Sequence, residues 1–168
     1  LQTLSAVVGA STFLYGVGAW RRSIIGQKRI DLAVQTIVAF KEAEQAYSEI
    51  RSPVSSSNEG SSRQPRSGES EQDAAVGRQA FVAIERINNR TDKFVALSTL
   101  KNLHQAYFGS DRAEPFEQML RFRFDITRAA LRLENHWRRQ GGHFRTDQEF
   151  QEHLAKMHEA EELFWEDY

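Results

Sequence analysis

The sequence predicts an all-α protein: one N-terminal transmembrane helix followed by an antiparallel bundle of long helices, about four with the juxtamembrane helix included. Three observations predict it. Apolar residues recur every three or four positions rather than alternating, which is the helical period. Prolines number 3 and glycines 10 in 168 residues, so little interrupts long helices. The opening stretch Leu1–Trp20 holds no Asp, Glu, Lys, Arg or His, and Arg21 and Arg22 follow at once.

A helix of about 20 residues rises about 30 Å, the thickness of a bilayer's hydrocarbon core. Leu1–Trp20 just meets that requirement, although Gln2, Thr3, Ser5, Ser11 and Thr12 dilute it. Trp20 sits where an interfacial aromatic would. Arg21, Arg22, Lys28 and Arg29 all precede the first acid, Asp31. Residues 1–22 are therefore expected to span the inner (cytoplasmic) membrane, and the positive-inside tendency places residues 23–168 in the cytoplasm. The chain begins at Leu1 and not Met, so a segment is expected upstream. Two other readings exist. A cleaved signal peptide would show a basic start and a small-residue cleavage site, not Trp20 and two arginines. The core helix of a soluble all-α protein is the stronger rival, because the stretch is short and diluted. Ser5, Gly9, Thr12 and Gly16 share one face of the helix, where small residues let two transmembrane helices pack closely. The functional reading is self-association through them; the plainer reading, which we favour, is that small residues are common in such helices.

A second helical stretch runs from about Ile24 to Ile50, with Gly26 the one candidate hinge. Ile30, Val34, Ile37, Ala43 and Tyr47 predict its inner face. Pro53 disfavours helix in the residue before it and ends the stretch by Ser52. Residues 52–70 are serine-rich, with Val54 their single large apolar side chain. That composition predicts a mobile loop in which Arg63 and Arg66 only solvate the chain.

A third helix begins near Ser70, which can cap it, with Asp73 in the first turn. It runs to Phe108, with a bend where Asn88, Asn89 and Thr91 weaken it, and Gly109 stops it. Ser110 and Asp111 offer caps for a fourth, and Pro115 is tolerable in its first turn. Phe116, Met119, Phe122, Ile126, Ala130, Leu133 and Trp137 predict a buried seam. Arg121, Arg128, Arg132 and Arg139 line another face. Thr146-Asp147-Gln148-Glu149 is a capping box that opens the last helix, whose inner face is Phe150, Leu154, Met157 and Phe164. Eight acids and one lysine lie between Thr146 and Tyr168. The five-residue turn makes the last two helices antiparallel neighbours, and their opposite charges are expected to help set the pairing.

No residue set points to chemistry. The chain has no cysteine, which excludes disulfides and thiolates. None of His104, His136, His143, His153 and His158 completes the Glu-x-x-His pair of a carboxylate-bridged di-iron site. Glu149 and His153 share a helix face at i,i+4 but lack a third ligand, so they read as a surface hydrogen bond. No glycine-rich phosphate loop occurs. We therefore expect no enzyme, no catalytic or metal-binding residue and no cofactor. A net charge of −1 gives no global attraction to nucleic acid, which is not an expected partner.

Several local patterns resemble a family of uncharacterised bacterial membrane-anchored proteins. They are the span ending in Trp20, Arg29-Ile30-Asp31-Leu32-Ala33, Ile50-Arg51-Ser52-Pro53 and Glu59-Gly60. The tail adds Thr146-Asp147-Gln148-Glu149-Phe150, His153-Leu154, Met157-His158 and Phe164-Trp165. The resemblance runs over the whole chain and implies a bacterial origin and a single span. It implies no activity, cofactor or catalytic residue. The expected function is thus a membrane-tethered helical scaffold that binds a protein partner or itself. The alternative is a peripheral binder of lipid or nucleic acid through the arginine face of the fourth helix.

Overall fold

The computed structural model describes the backbone of residues 2–140 and 142–166, and the side chains from Tyr15 onward within those ranges. The chain is all-α, with five helices packed as a bundle: α1 (Gln2–Arg51), α2 (Glu71–Asn89), α3 (Thr91–Phe108), α4 (Glu114–Arg139) and α5 (Asp147–Phe164). A 3₁₀ turn at Ser110–Arg112 joins α3 to α4. The expected third helix is two. Arg90, at φ −111° and ψ 17°, breaks it between Asn89 and Thr91, where the weak helix formers stand. Thr91 Oγ1 donates to the Asn88 carbonyl at 2.8 Å and holds the bend.

α1 runs as one helix through residues 22 and 23 and through Gly26. α1 is continuous for 50 residues, about 75 Å at 1.5 Å per residue. No helix among the described residues is long and apolar enough to cross a membrane. The expected span falls mostly on residues 1–14, which lie outside the described side chains, as do Ser5, Gly9 and Thr12 of the proposed pairing face.

Two caps form as the sequence predicts, whereas Ser110 and Asp111 fall in the 3₁₀ turn and α4 starts after Ala113 with no side-chain cap. The Ser70 hydroxyl accepts from the Asp73 amide at 3.1 Å, and that of Thr146 accepts from the Glu149 amide at 3.1 Å. Gly109, at φ +93°, stops α3 in a conformation that side chains avoid. The carbonyls at two helix ends are satisfied by tertiary arginines rather than by local caps. Arg86 of α2 donates to the carbonyls of Glu49, Ile50, Ser52 and Val54, at 2.7–3.3 Å. Arg51, at the end of α1, donates to the carbonyls of Glu162, Leu163 and Trp165 at the end of α5. Cations at helix C-termini also meet the negative end of the dipole.

α1 runs antiparallel to α3, as the ion pairs Lys93–Glu42 at 3.3 Å and Arg90–Glu49 at 2.6 Å record. α4 packs against α2, α3 and α5. One core gathers Tyr47, Ile50, Ile87, Phe94, Ile126, Leu133, Met157 and Phe164. A second, toward the N-terminal side of α1, gathers Leu32, Ala39, Ala43, Leu97, Leu100 and Phe116. The α4 seam is as expected: Phe116, Ile126, Ala130 and Leu133 are buried, with Met119, Phe122 and Trp137 packed against them. Tyr47 rests between the rings of Phe94 and Phe122. Its hydroxyl donates to the Met119 carbonyl at 2.5 Å, and burial pushes its pKa up to about 12.

The expected inner face of α1 is buried at Ala43 and Tyr47 and corrected at Ile30, Val34 and Ile37. Ile30 and Ile37 are each 65% exposed and Val34 56%. The buried stripe is Leu32, Ala39, Ala43, Ala46, Tyr47 and Ile50, about half a turn away at 3.6 residues per turn. Alanines at the contact let α1 and α3 approach closely, whereas β-branched side chains would hold them apart.

Candidate functional site

Three surfaces or clusters could carry function, and they differ in what surrounds them. The first is the outer side of α1. From Tyr15 to Asp31 no residue is buried. Tyr15, Val17, Trp20, Ile24, Ile25, Ile30, Val34, Ile37 and Val38 are all exposed. At the C-terminal end of α3, Arg29 of α1 donates to the Tyr107 carbonyl at 3.4 Å and lies over the Phe108 ring. Beyond it α1 continues toward its N-terminus with Arg21, Arg22 and Lys28 exposed. This is apolar surface edged by cations, which can bury itself against lipid or against another helix.

The second is the arginine face of α4. Arg121, Arg128, Arg132 and Arg139 are all exposed. The expected neutralisation by α5 is largely missing. Arg139 reaches Glu149 at 3.5 Å, while Arg128 pairs with Asp125 of its own helix at 3.6 Å. The α4–α5 contact rests instead on apolar and aromatic packing, such as Trp137 edge-on to Phe164 at 6.0 Å. Ion pairs held in water contribute little, about 0–1 kcal/mol each, so packing decides the pairing.

The third is a buried polar cluster that the sequence reading missed. Arg63 of the 52–70 loop donates to Glu69 at 2.8 Å and to Glu134 of α4 at 3.0 Å. Arg138, one turn after Glu134, reaches Glu134 at 2.7 Å, and also Glu69. Arg66 closes on Glu134 from outside at 3.2 Å. The side chains of Arg63, Glu69 and Glu134 are 8%, 2% and 6% exposed. Hydrogen bonds from Arg63 and Arg138 hold the Glu69 carboxyl far below the usual range. The same two carboxylates raise both guanidinium pKa values. Gly77 makes the cluster possible, because a Cβ there would collide with the Arg63 guanidinium. A second clasp lies nearby. Arg86 binds Glu59 at 2.7 Å, and Gly60, at φ +78°, lies against the Arg78 carbonyl where a Cβ would not fit. Arg63 is thus a buried cation that fastens the loop, not a solvated one. The available signal was an isolated glycine within a helical pattern, which marks a close approach.

The histidines meet only in part. His136 and His153 face each other across α4 and α5, Nδ1 to Nδ1 at 3.3 Å. Phe144 stacks near His153 at 4.9 Å. Arg139, Glu149, Glu152 and Lys156 complete the cleft. Burial, and then the neighbouring His153, push the His136 pKa down. Glu149 turns to Arg139 and to the Arg145 amide rather than to His153. Among the described residues no three His, Asp or Glu converge on a metal position. Comparison of the chain with protein-family models, with curated proteins and with solved structures finds no match.

Proposed function

We propose that this protein is a membrane-tethered helical interaction module, held at the cytoplasmic face of a bacterial inner membrane by the N-terminal part of α1. One observation carries the reading: the uncharged opening stretch runs directly into an α1 surface that is apolar, exposed and edged by Arg21, Arg22, Lys28 and Arg29. An exposed apolar surface of this extent is costly in water and is stabilised by lipid or a partner. The cations then sit at headgroup level, where they favour the cytoplasmic side. The bundle beyond serves as the binding domain. No catalytic residue, metal or cofactor enters this reading. Its test is fractionation with carbonate extraction, combined with a reporter fused after Tyr168. Retention in the membrane pellet and a cytoplasmic reporter signal are expected. Release into the soluble fraction would overturn the tether, and an external signal would reverse the topology.

A second reading is favoured by the lack of α5 partners for Arg121, Arg128 and Arg132: that face binds anionic headgroups or a nucleic-acid backbone. It predicts binding that weakens steeply with salt and is lost in the triple Arg→Glu variant at these positions.

A further inference from the structure

The geometry points to a second copy of this chain as the occupant of the outer face of α1, in a parallel, in-register coiled coil that rests on the tethered reading above. The exposed positions Gly16, Trp20, Ser23, Gln27, Ile30, Val34 and Ile37 follow one another at alternating steps of four and three. That average of 3.5 is the repeat with which two like helices wind around each other. The run from Gly16 to Ile37 covers roughly three heptads, in which Trp20, Ile30, Val34 and Ile37 are the large apolar positions and Gly16, Ser23 and Gln27 the small or uncharged polar ones. Gly9 precedes it in the same register.

Four features select a second copy, lying parallel. No charged residue occurs at a seam position between Tyr15 and Ile37. A basic or acidic partner therefore finds nothing to pair with, while an identical uncharged seam finds its own complement. Arg21, Arg22, Lys28 and Arg29 fall more than a quarter turn off the seam at 3.6 residues per turn, so two copies do not force these cations together. The seam lies opposite the buried stripe of Leu32, Ala39, Ala43 and Ala46. A helix laid along it displaces no bundle residue, and nothing lies within 4 Å of where a Cβ on Gly16 would stand. Tethering at a common membrane face holds the two α1 helices parallel and raises their effective concentration. At the C-terminal end of the seam stands Lys41, paired with Glu44 of its own chain at 2.7 Å, which ends the apolar run.

The chain has no native cysteine, so single cysteines report the geometry directly. Ile30→Cys, Val34→Cys and Ile37→Cys are made in the full chain, with Val95→Cys on the exposed side of α3 as control. Oxidation in native membranes is expected to trap more than about half of each seam variant as a homodimer, and less than about a tenth of the control, because a parallel seam brings like residues together. Ile30→Glu combined with Ile37→Cys is expected to lower the trapped fraction at least threefold. Three results would overturn the inference: no trapping, trapping only when Ile30→Cys and Ile37→Cys chains are mixed, or adducts of another mass. Carbonate extraction of the same samples separates the two readings. Pelleted but untrapped protein refutes the seam alone, and trapped but soluble protein refutes the tether alone.

Discussion

The two faces of α1 reverse the usual rule of size. The face turned to the bundle carries Ala39, Ala43 and Ala46, and the face turned away carries Ile30, Val34 and Ile37. Burial here follows how closely two helices approach, not how much apolar area each residue offers. The inner face ends in Tyr47 and Ile50, locked into the larger core beside Phe94 and Phe164. The outer face is exposed in the single chain. The lesson extends to charge. Lys41 and Glu44 make a 2.7 Å ion pair with 74% and 64% of their side chains exposed. Glu134 makes comparable contacts at 6% exposure, and only there does loss of a partner strand a charge.

The largest expected effect tests the apolar contrast. Ile50→Ala should cost about 3 kcal/mol in urea unfolding, as a cavity in a full core does. Ile37→Ala, read on dilute monomer, should stay within about 0.5 kcal/mol of the parent. Equal costs would break the contrast. Next comes the polar pair. Glu134→Ala should also cost about 3 kcal/mol, because it leaves buried Arg63 and part-buried Arg138 sharing Glu69, with the half-exposed Asp73 reaching only Arg138. Trypsin should then cut faster after Arg63 and Arg66. Glu44→Ala should change stability by no more than about 0.5 kcal/mol, and a larger loss there would show that exposure is a poor guide to the value of these pairs.

The smallest effect concerns pH. His136 has a folded pKa below its unfolded value of about 6.5, so the unfolded chain binds the proton first and stability falls as pH drops through that value. His153, Arg132, Arg139 and Lys156 oppose the added charge, while Glu149 and Glu152 offset part of it. Stability measured from pH 7 to pH 5 should decline modestly in the parent and less in His136→Gln. The Glu69 clasp behaves in the opposite range. Its depressed carboxyl contributes fully above about pH 4.5 and is lost only as pH falls toward its folded value. At pH 5 the histidine effect should be present with the loop still fastened. Faster trypsin cleavage of the parent loop at pH 5 than at pH 7, after correction for the protease's own pH dependence, would contradict this.

Much of the architecture was legible in the chain. The three- and four-residue spacing of Phe116, Met119, Phe122, Ile126, Ala130 and Leu133 identified the α4 seam, and Ser70, Gly109 and Thr146 marked element ends, because caps and glycine stops act through neighbours in sequence. Asn88, Asn89 and Thr91 marked a bend whose sharpness, enough to divide one helix into two, was not readable from propensity. The candidate sites were less legible. Arg63 and Glu69 lie in a serine-rich loop, and their partners Glu134 and Arg138 are some 70 residues away, so no local pattern links them. His136 and His153 likewise meet only through the pairing of α4 with α5.

The sequence by itself determined that the chain is helical, which of its helix ends Ser70, Gly109 and Thr146 mark, and that its opening stretch is uncharged and followed by cations. These depend on backbone propensity, capping and periodicity, which are properties of adjacent residues. Only the tertiary structure decided which side of α1 faces the bundle and which carboxylates clasp the loop. α1 has two apolar stripes of helical period, and periodicity cannot choose between them. Close approach to α3 chose the alanine stripe and left Ile30, Val34 and Ile37 outside.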